Sequence, residues 1–239
     1  MKSGTLYLIP SNLSDGFTPT QILPESVIST ALRLNHFVAE NAKTARAFLK
    51  QLGIERPLLD VSIVELNNQT PDNVISNMIA PLIAGHDVGL VSEAGAPGIA
   101  DPGALVVALA HQHGIAVVPL VGPSSILLGL MASGLNGQTF AFHGYLPQEK
   151  IERIKAIAAL EKESRQRNMT QLFIETPYRN QALYADLLST LVASTRLCVA
   201  RDLTGHREWV RTMRTIEWKK NTLTLEKLPT LFLFLAESA

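Results

Sequence analysis

Apolar residues along this chain gather in short runs, each closed by a glycine, a proline or a polar turn. Residues 4–9 (Gly-Thr-Leu-Tyr-Leu-Ile) form the first run and end at Pro10, which predicts a strand. Residues 36–40 predict a second strand, and 43–52 a helix stopped by Gly53. A third strand is expected over 58–64. The helix after it starts near Pro71 and runs to about residue 84, with Val74, Ile75, Met78, Ile79, Leu82 and Ile83 on its apolar face. Pro81 should kink that helix or mark its last turn. The apolar run 88–91 predicts a buried strand. A helix over 102–113, a strand over 115–120 and a helix over 126–133, stopped by Gly134, complete the first alternation. A β–α spacing of roughly 20 to 30 residues is that of a parallel sheet with crossover helices.

Beyond Gly137 the pattern changes. Strands are predicted over 140–145, 171–175, 196–200, 209–215 and 231–235, with helices over 151–160 and 183–191. Residues 161–167 read as a charged surface turn. The last run, Leu-Phe-Leu-Phe-Leu, is apolar throughout and should be a central strand.

The loops carry the candidate chemistry. After Val91 come Ser92, Glu93, Ala94, Gly95, Ala96, Pro97 and Gly98, then Asp101-Pro102-Gly103 ahead of a helix. Missing side chains at Gly95, Ala96 and Gly98 let a ligand approach the main chain, and Pro97 stiffens the path. Asp101 suits an N-cap, with Pro102 at the first helical position. In open α/β sheets, ligands sit at such carboxyl ends of strands. An ordinary strand-to-helix connection reads the same way. Neither G-x-G-x-x-G nor G-x-x-x-x-G-K-[ST] is present. Two further loops at strand ends are 10–16 and 121–125. In the latter, Ser124 or Ser125 either caps the following helix or presents its amide-rich start to a carboxylate.

Composition narrows the classes. The 239 residues are 46% hydrophobic and 18% charged, enough for a sizeable core in one large or two modest domains. Twenty-one basic and 21 acidic residues cancel, which argues against a uniformly basic nucleic-acid binder. Local excess is another matter. Arg196, Arg201, Arg207, Arg211, Arg214, Lys219 and Lys220 crowd one stretch against Asp202, Glu208 and Glu217, with Trp209 and Trp218 interleaved. Either an RNA backbone docks there by charge and stacking, or the stretch is a solvated strand face. The single cysteine, Cys198, excludes an intrachain disulfide framework and fits a reduced cytoplasmic setting. No secretory signal and no run of about 18 apolar residues is expected to engage a membrane. No metal is expected either: His111 and His113 sit near a helix end, outside any ligand-spaced cluster.

Ser92-Glu93-Ala94-Gly95-Ala96-Pro97-Gly98-Ile99-Ala100-Asp101-Pro102-Gly103 resembles the S-D-A-G-T-P-x-x-x-D-P-G segment of the tetrapyrrole methylase superfamily, closest to its ribosomal RNA small-subunit methyltransferase I branch. Gly122-Pro123-Ser124-Ser125 is similar to G-P-[CS]-A, Phe140 to Pro147 to F-x-x-x-G-F-L-P, Phe173 to Arg179 to F-Y-E-S-P-H-R, and Ala200 to Thr204 to A-R-E-L-T. Several positions depart. The first loop keeps Pro10, Asn12, Leu13 and Asp15 near T-P-I-G-N-L-x-D but is one residue short. Ala39-Glu40-Asn41-Ala42-Lys43 stands for A-E-D-T-R, and Asn67, Asn68 and Gln69 for a histidine–asparagine–glutamate cluster. Tyr178 stands for a histidine. Lys227-Leu228-Pro229-Thr230 lacks the K-G-E step.

The resemblance implies two α/β domains, 1–120 with a mostly parallel sheet and 121–239 with a mixed one, and a cofactor cleft between them. It implies S-adenosylmethionine as cofactor, contacting Pro10, Ser92, Glu93, Ala94, Gly95, Ala96, Pro97, Gly98, Ser124, Ser125, Ile126, Glu175 and Thr176. The expected acceptor is a ribose hydroxyl of ribosomal or related RNA, and the expected assembly a homodimer. A hydroxyl is a poor nucleophile, so a base or a charge that stabilises the alkoxide is needed. Glu40, Lys43, Glu175, Arg201 and Asp202 are placed around it. A small-molecule acceptor on the same fold, or a cofactor-binding regulatory protein that has lost transfer, remain alternatives; the Asn41-Ala42-Lys43 change favours the last.

Overall fold

The computed structural model describes residues 2–221 and 223–237. The chain divides into two compact units, Met1–Ser124 and Ser125–Ala239.

In the first unit the elements run β1 (Thr5–Ile9), α1 (Pro19–Ile22), α2 (Glu25–Arg33), β2 (His36–Ala39), α3 (Ala42–Gln51), β3 (Ser62–Glu65), α4 (Asp72–Asn77), α5 (Ala80–Ile83), β4 (Val88–Val91), α6 (Gly103–Gln112) and β5 (Ala116–Pro119). The strands pair in the order β3-β2-β4-β1-β5, all parallel. Both faces of the sheet are covered, as the strands' apolar character requires. On one face Val27 and Ala31 of α2 and Phe48 and Leu49 of α3 pack with Ile9, Phe37 and Val91. On the other, Ile75, Met78, Ile79, Leu82, Val106 and Ala110 pack with Leu6, Val38, Val88 and Leu90.

This arrangement positions the site. Strands β1 and β4 are neighbours, yet α2 after β1 and α6 after β4 lie on opposite faces. The helices that follow two adjacent parallel strands therefore diverge, and the crevice outside the strands' carboxyl ends is where such sheets take ligands. Residues 121–124 stay with this unit: Leu120 N donates to Leu8 O (3.0 Å), and Gly122 lies so close to Pro10 that a Cβ would meet its Cγ at 2.1 Å.

Two expectations for this unit need correction. Leu58–Asp60 is a 3-10 turn rather than the start of a strand; Leu59 is exposed, and pairing begins where His36 opposes Ser62. The helix expected over 71–84 is broken into α4 and α5, because Pro81 has no N–H to donate one turn back and its ring crowds that carbonyl. Helix α2 was not legible: only Val27 and Ala31 are buried along a Ser/Thr-rich segment.

The second unit runs α7 (Ser125–Ser133), β6 (Phe140–Tyr145), α8 (Lys150–Arg167), β7 (Thr170–Glu175), α9 (Asn180–Thr190), β8 (Arg196–Arg201), β9 (Trp209–Arg214), α10 (Thr215–Lys220) and β10 (Thr230–Leu235). Its sheet is mixed, in the order β6-β7-β10-β8-β9, with β6 and β7 parallel and the other pairs antiparallel. Strand β10 is central and buried at all six positions, as its unbroken apolar run predicts.

The charged turn expected over 161–167 is instead the second half of α8. Its charges are not all solvated: Glu161 accepts from Val192 N (2.8 Å) and from the Thr195 hydroxyl, and Ser164 Oγ accepts from Ala236 N (2.9 Å). Asn168, in the left-handed region at φ 49°, ends the helix. Strand β9 stops at Arg214, and α10 turns Trp218 into the core, 2% exposed, with Nε1 donating to Leu197 O (2.8 Å). Of the two readings of this stretch, stacking on RNA is therefore closed to Trp218. No described helix is long and apolar enough to cross a membrane.

Candidate active-site loops

In the first unit, the loop after β4 is fastened to the loop after β1. Ser11 N donates to Gly95 O (2.9 Å) and Gly95 N to Ser11 O (3.3 Å), a two-bond bridge outside the sheet. The Ser11 hydroxyl donates to Ser92 O (3.0 Å), and the Ser92 hydroxyl turns inward to Gly95 O (3.2 Å). Gly95 and Gly98 take φ of 74° and 85°, which side-chain-bearing residues seldom adopt. Asp101 lies one residue outside α6's cap, but its carboxylate accepts from Gly103 N (2.7 Å) and reaches back to Gly98 N (2.8 Å). These bonds hold 92–101 as a fixed curve. Pro97 is buried, Ala96 and Gly98 are half-buried, and Glu93 and Ala94 face solvent.

Beside it, at the end of β2, the Glu40 carboxylate accepts from Glu93 N (3.0 Å), and the Glu93 carboxylate accepts from the Thr44 hydroxyl. Burial pushes the Glu40 carboxyl above its ordinary range; the Glu93 N–H opposes that, while Asp101 and Glu93 add to it through their charge. Burial likewise raises Asp101 against the N–H groups it accepts from. This acidic end suits a ligand group of positive charge. Asn41 acts locally: its side chain accepts from Lys43 N (2.8 Å) and Thr44 N (3.3 Å), capping α3, while Glu65 accepts from Ala42 N (2.8 Å). The Lys43 side chain is exposed. Thr44 was missed in the sequence. It lies two residues beyond the hydroxyl that the resembled motif would carry, and only the folded register brings it to Glu93.

The two raised carboxyls make a prediction. Their folded pKa lies above the unfolded one, so the folded state holds extra protons between the two values. The stability they contribute is fully present below the ordinary carboxylate range and is lost as pH rises through the raised values. Replacing Glu40 with glutamine should flatten this fall. Urea midpoints of the two proteins across acid to neutral pH would check it; parallel curves would count against Glu40 as a source.

In the second unit, Glu175 and Arg201 end β7 and β8 on the same side of the sheet, each in register with Thr230 of β10. Two strand spacings put their backbones about 10 Å apart. The buried Glu175 carboxylate accepts from Thr176 N (2.6 Å) and from Nε and Nη2 of Arg179 (2.9 and 2.7 Å). It thus anchors the 176–179 turn. Asp202, buried and at φ 51°, accepts from Arg207 N (2.8 Å), and Gly205 folds against its carboxylate. Arg201 lies over the Trp209 ring at 5.6 Å and 3.8 Å from Glu226. Ser125 opens α7, followed by Ile126. Each unit thus groups its own candidates: Pro10, 92–98, Glu40 and Lys43 in the first, Glu175, Thr176, Arg201 and Asp202 in the second.

By sequence, the chain is 38% identical over 205 residues to ribosomal RNA small subunit methyltransferase I of Xylella fastidiosa, a match spanning 84% of this chain and 69% of that protein. It is 34% identical to the protein of that name from Bacillus subtilis (87% and 67% covered) and 32% to the one from Halalkalibacterium halodurans (87% and 68%). By structure it superposes on the methyltransferase CobJ with a TM-score of 0.63 at 15% identity, covering 98% and 95% of the two chains. Uroporphyrin-III-C-methyltransferase from Thermus thermophilus superposes with a TM-score of 0.57 at 17% identity, covering 97% and 94%. Those two likenesses establish the fold. No family model matches the chain.

Proposed function

The chain belongs to the ribosomal RNA small subunit methyltransferase I family and is a methyltransferase, and from that premise we propose that it moves a methyl group from S-adenosylmethionine to a ribose hydroxyl of small-subunit ribosomal RNA. The observation that carries the reading is the pinned 92–101 loop at the carboxyl ends of two neighbouring parallel strands whose helices diverge.

The residues present fit the cofactor. Gly95 and Gly98 let the main chain take its fixed curve, and Glu40, Glu93 and Asp101 supply negative charge for the cofactor's cationic groups. When bound, S-adenosylmethionine supplies a methyl carbon on a sulfonium, open to in-line displacement. The chain's part is to hold, align and take up a proton. Ala94, Gly95, Ala96 and Gly98 let the ligand lie against backbone. Glu40, whose carboxyl is raised by burial, is the proposed acceptor of the hydroxyl proton. Arg201 and Lys43 offer charge to phosphate. Glu175 and Asp202 shape the loops that present the acceptor, the first by holding Arg179, the second by folding 202–207. Ser124, Ser125, Ile126, Glu175 and Thr176 are proposed cofactor contacts on the resemblance of their motifs. A ribosomal acceptor makes the cytoplasm the place of action.

The deciding experiment is transfer of labelled methyl from the cofactor to ribosomal subunits from cells lacking this protein. Label in RNA, mapped to a ribose, is the expected result. Label confined to small molecules would replace the acceptor, and no label with the cofactor bound would make the chain a regulatory protein.

The working assembly is proposed to be a homodimer. Leu105 on α6 and Leu127 and Met131 on α7 are large apolar side chains left half or more exposed, and two-fold association is the common way to cover such surface. Light scattering at micromolar concentration should give twice the chain mass; a value near 26.0 kDa would rule it out.

A further inference from the structure

From the loops at one end of the second unit's sheet we infer that Tyr178, backed by Lys227, is the surface on which an unpaired base of the RNA substrate stacks. The inference rests on the reading of the chain as an RNA methyltransferase and adds the side chain that grips the substrate.

Tyr178 is 80% exposed, more than Tyr145 at 55%, on the turn between β7 and α9. An exposed tyrosine offers a flat apolar face with a polar tip, the kind of side chain on which an unstacked base can lie. The interleaved tryptophans do not compete for that role. Trp218 is in the core, and Trp209 is half-buried with its ring 6.1 Å from that of Trp218.

The turn that carries the ring is held in place before any ligand arrives. Arg179, the next residue, is clamped by the buried Glu175, and Arg179 N donates to Thr176 O (2.9 Å), closing the turn. Asn180, fully buried, donates from Nδ2 to Leu228 O (2.9 Å) and so ties this turn to the loop before β10. That tie brings Lys227 Nζ to 5.0 Å from the Tyr178 ring centroid. An exposed aromatic ring with an ammonium over one face matches a nucleotide, whose base stacks on the other face while its phosphate meets the ammonium. Pre-set geometry spares the ordering cost of binding.

At this end of the sheet Arg201 and Arg207 both approach Glu226, next to Lys227, and that acid offsets their charge.

The test is steady-state methyl transfer by the full chain to small ribosomal subunits from cells lacking it, with cofactor affinity measured in parallel. Tyr178→Ala should raise the KM for subunits about 10- to 100-fold, the range of one lost base–aromatic stack, with the cofactor Kd unchanged. Tyr178→Phe keeps the ring and should stay within about twofold of the parent. Lys227→Gln should lower the salt dependence of RNA binding by about one phosphate contact. A Tyr178→Ala protein with the parent's KM, or one that loses cofactor affinity as well, overturns the inference and leaves the methyltransferase reading standing. A parent protein that transfers no methyl to RNA overturns both.

Discussion

Gly95→Val is expected to reduce affinity for S-adenosylmethionine by about 100-fold, the order of effect of a roughly 1 Å misplacement in a preformed site, while leaving the chain folded. Gly95 sits at φ 74°, where a β-branched residue is strained by about 1–3 kcal/mol. Its Cβ would also lie 2.8 Å from Leu13 Cδ2 and 3.4 Å from Pro123 O. The Leu13 side chain can yield, but the two bonds between Ser11 and Gly95 fix the backbone, so the loop itself must shift. A typical domain has about 5–15 kcal/mol to spare, so the fold should survive the strain. Gly53 supplies the control. It has φ of 90°, ends α3, and its Cβ would meet nothing within 4 Å. Gly53→Val thus carries comparable backbone strain away from the site and should bind the cofactor normally. Titration calorimetry on both variants decides. Parent-like affinity in Gly95→Val removes the cofactor from this loop, and equal losses in both variants would trace the effect to stability alone.

Arg153→Ala is expected to produce the largest loss of stability, about 3–5 kcal/mol. Arg153, in the first turn of α8, donates from Nε and Nη2 to Asp186 Oδ2 on α9 at 2.8 and 2.6 Å. Its Nη1 donates to the carbonyls of Pro147 (3.2 Å) and Gln148 (2.6 Å). Side-chain exposures of 9% and 7% leave little solvent to screen the pair. Truncation strands the Asp186 carboxylate, with Lys150 Nζ no nearer than 4.0 Å, and frees two carbonyls at once. The thermal midpoint should fall by roughly 6–20 °C. Breaking the exposed Lys155–Glu152 pair should cost less than about 1 kcal/mol. Replacing Arg153 and Asp186 together with leucine and methionine should recover much of the loss, because it is the unpaired buried charge that is costly. A midpoint unchanged in Arg153→Ala would refute this account.

The amino-acid sequence by itself located most strands of both sheets and marked 231–235 as central. Residues 88–91, 140–145 and 231–235 read as strands and are strands, because a short apolar run bounded by turn residues has few other ways to bury itself. Crossover spacing in the first half pointed to a parallel sheet, and the family resemblance implied the mixed sheet of the second. The glycine–proline loop after β4 and its resemblance to a known motif pointed to a methyltransferase. The tertiary structure alone decided what faces what. Periodicity reports which side of an element is buried, but not its partner. That β1 lies beside β4 follows from crossovers packing on opposite faces, and only then does Ser11 meet Gly95 and Glu40 reach Glu93 N. The same limit explains the misreadings. Charge density made 161–167 look like a turn because Glu161's partners, Val192 and Thr195, are some thirty residues away. Trp218 looked available to RNA until α10 turned it onto Leu197, and Tyr178 gained its place from an Asn180 bond to Leu228 that no local pattern encodes.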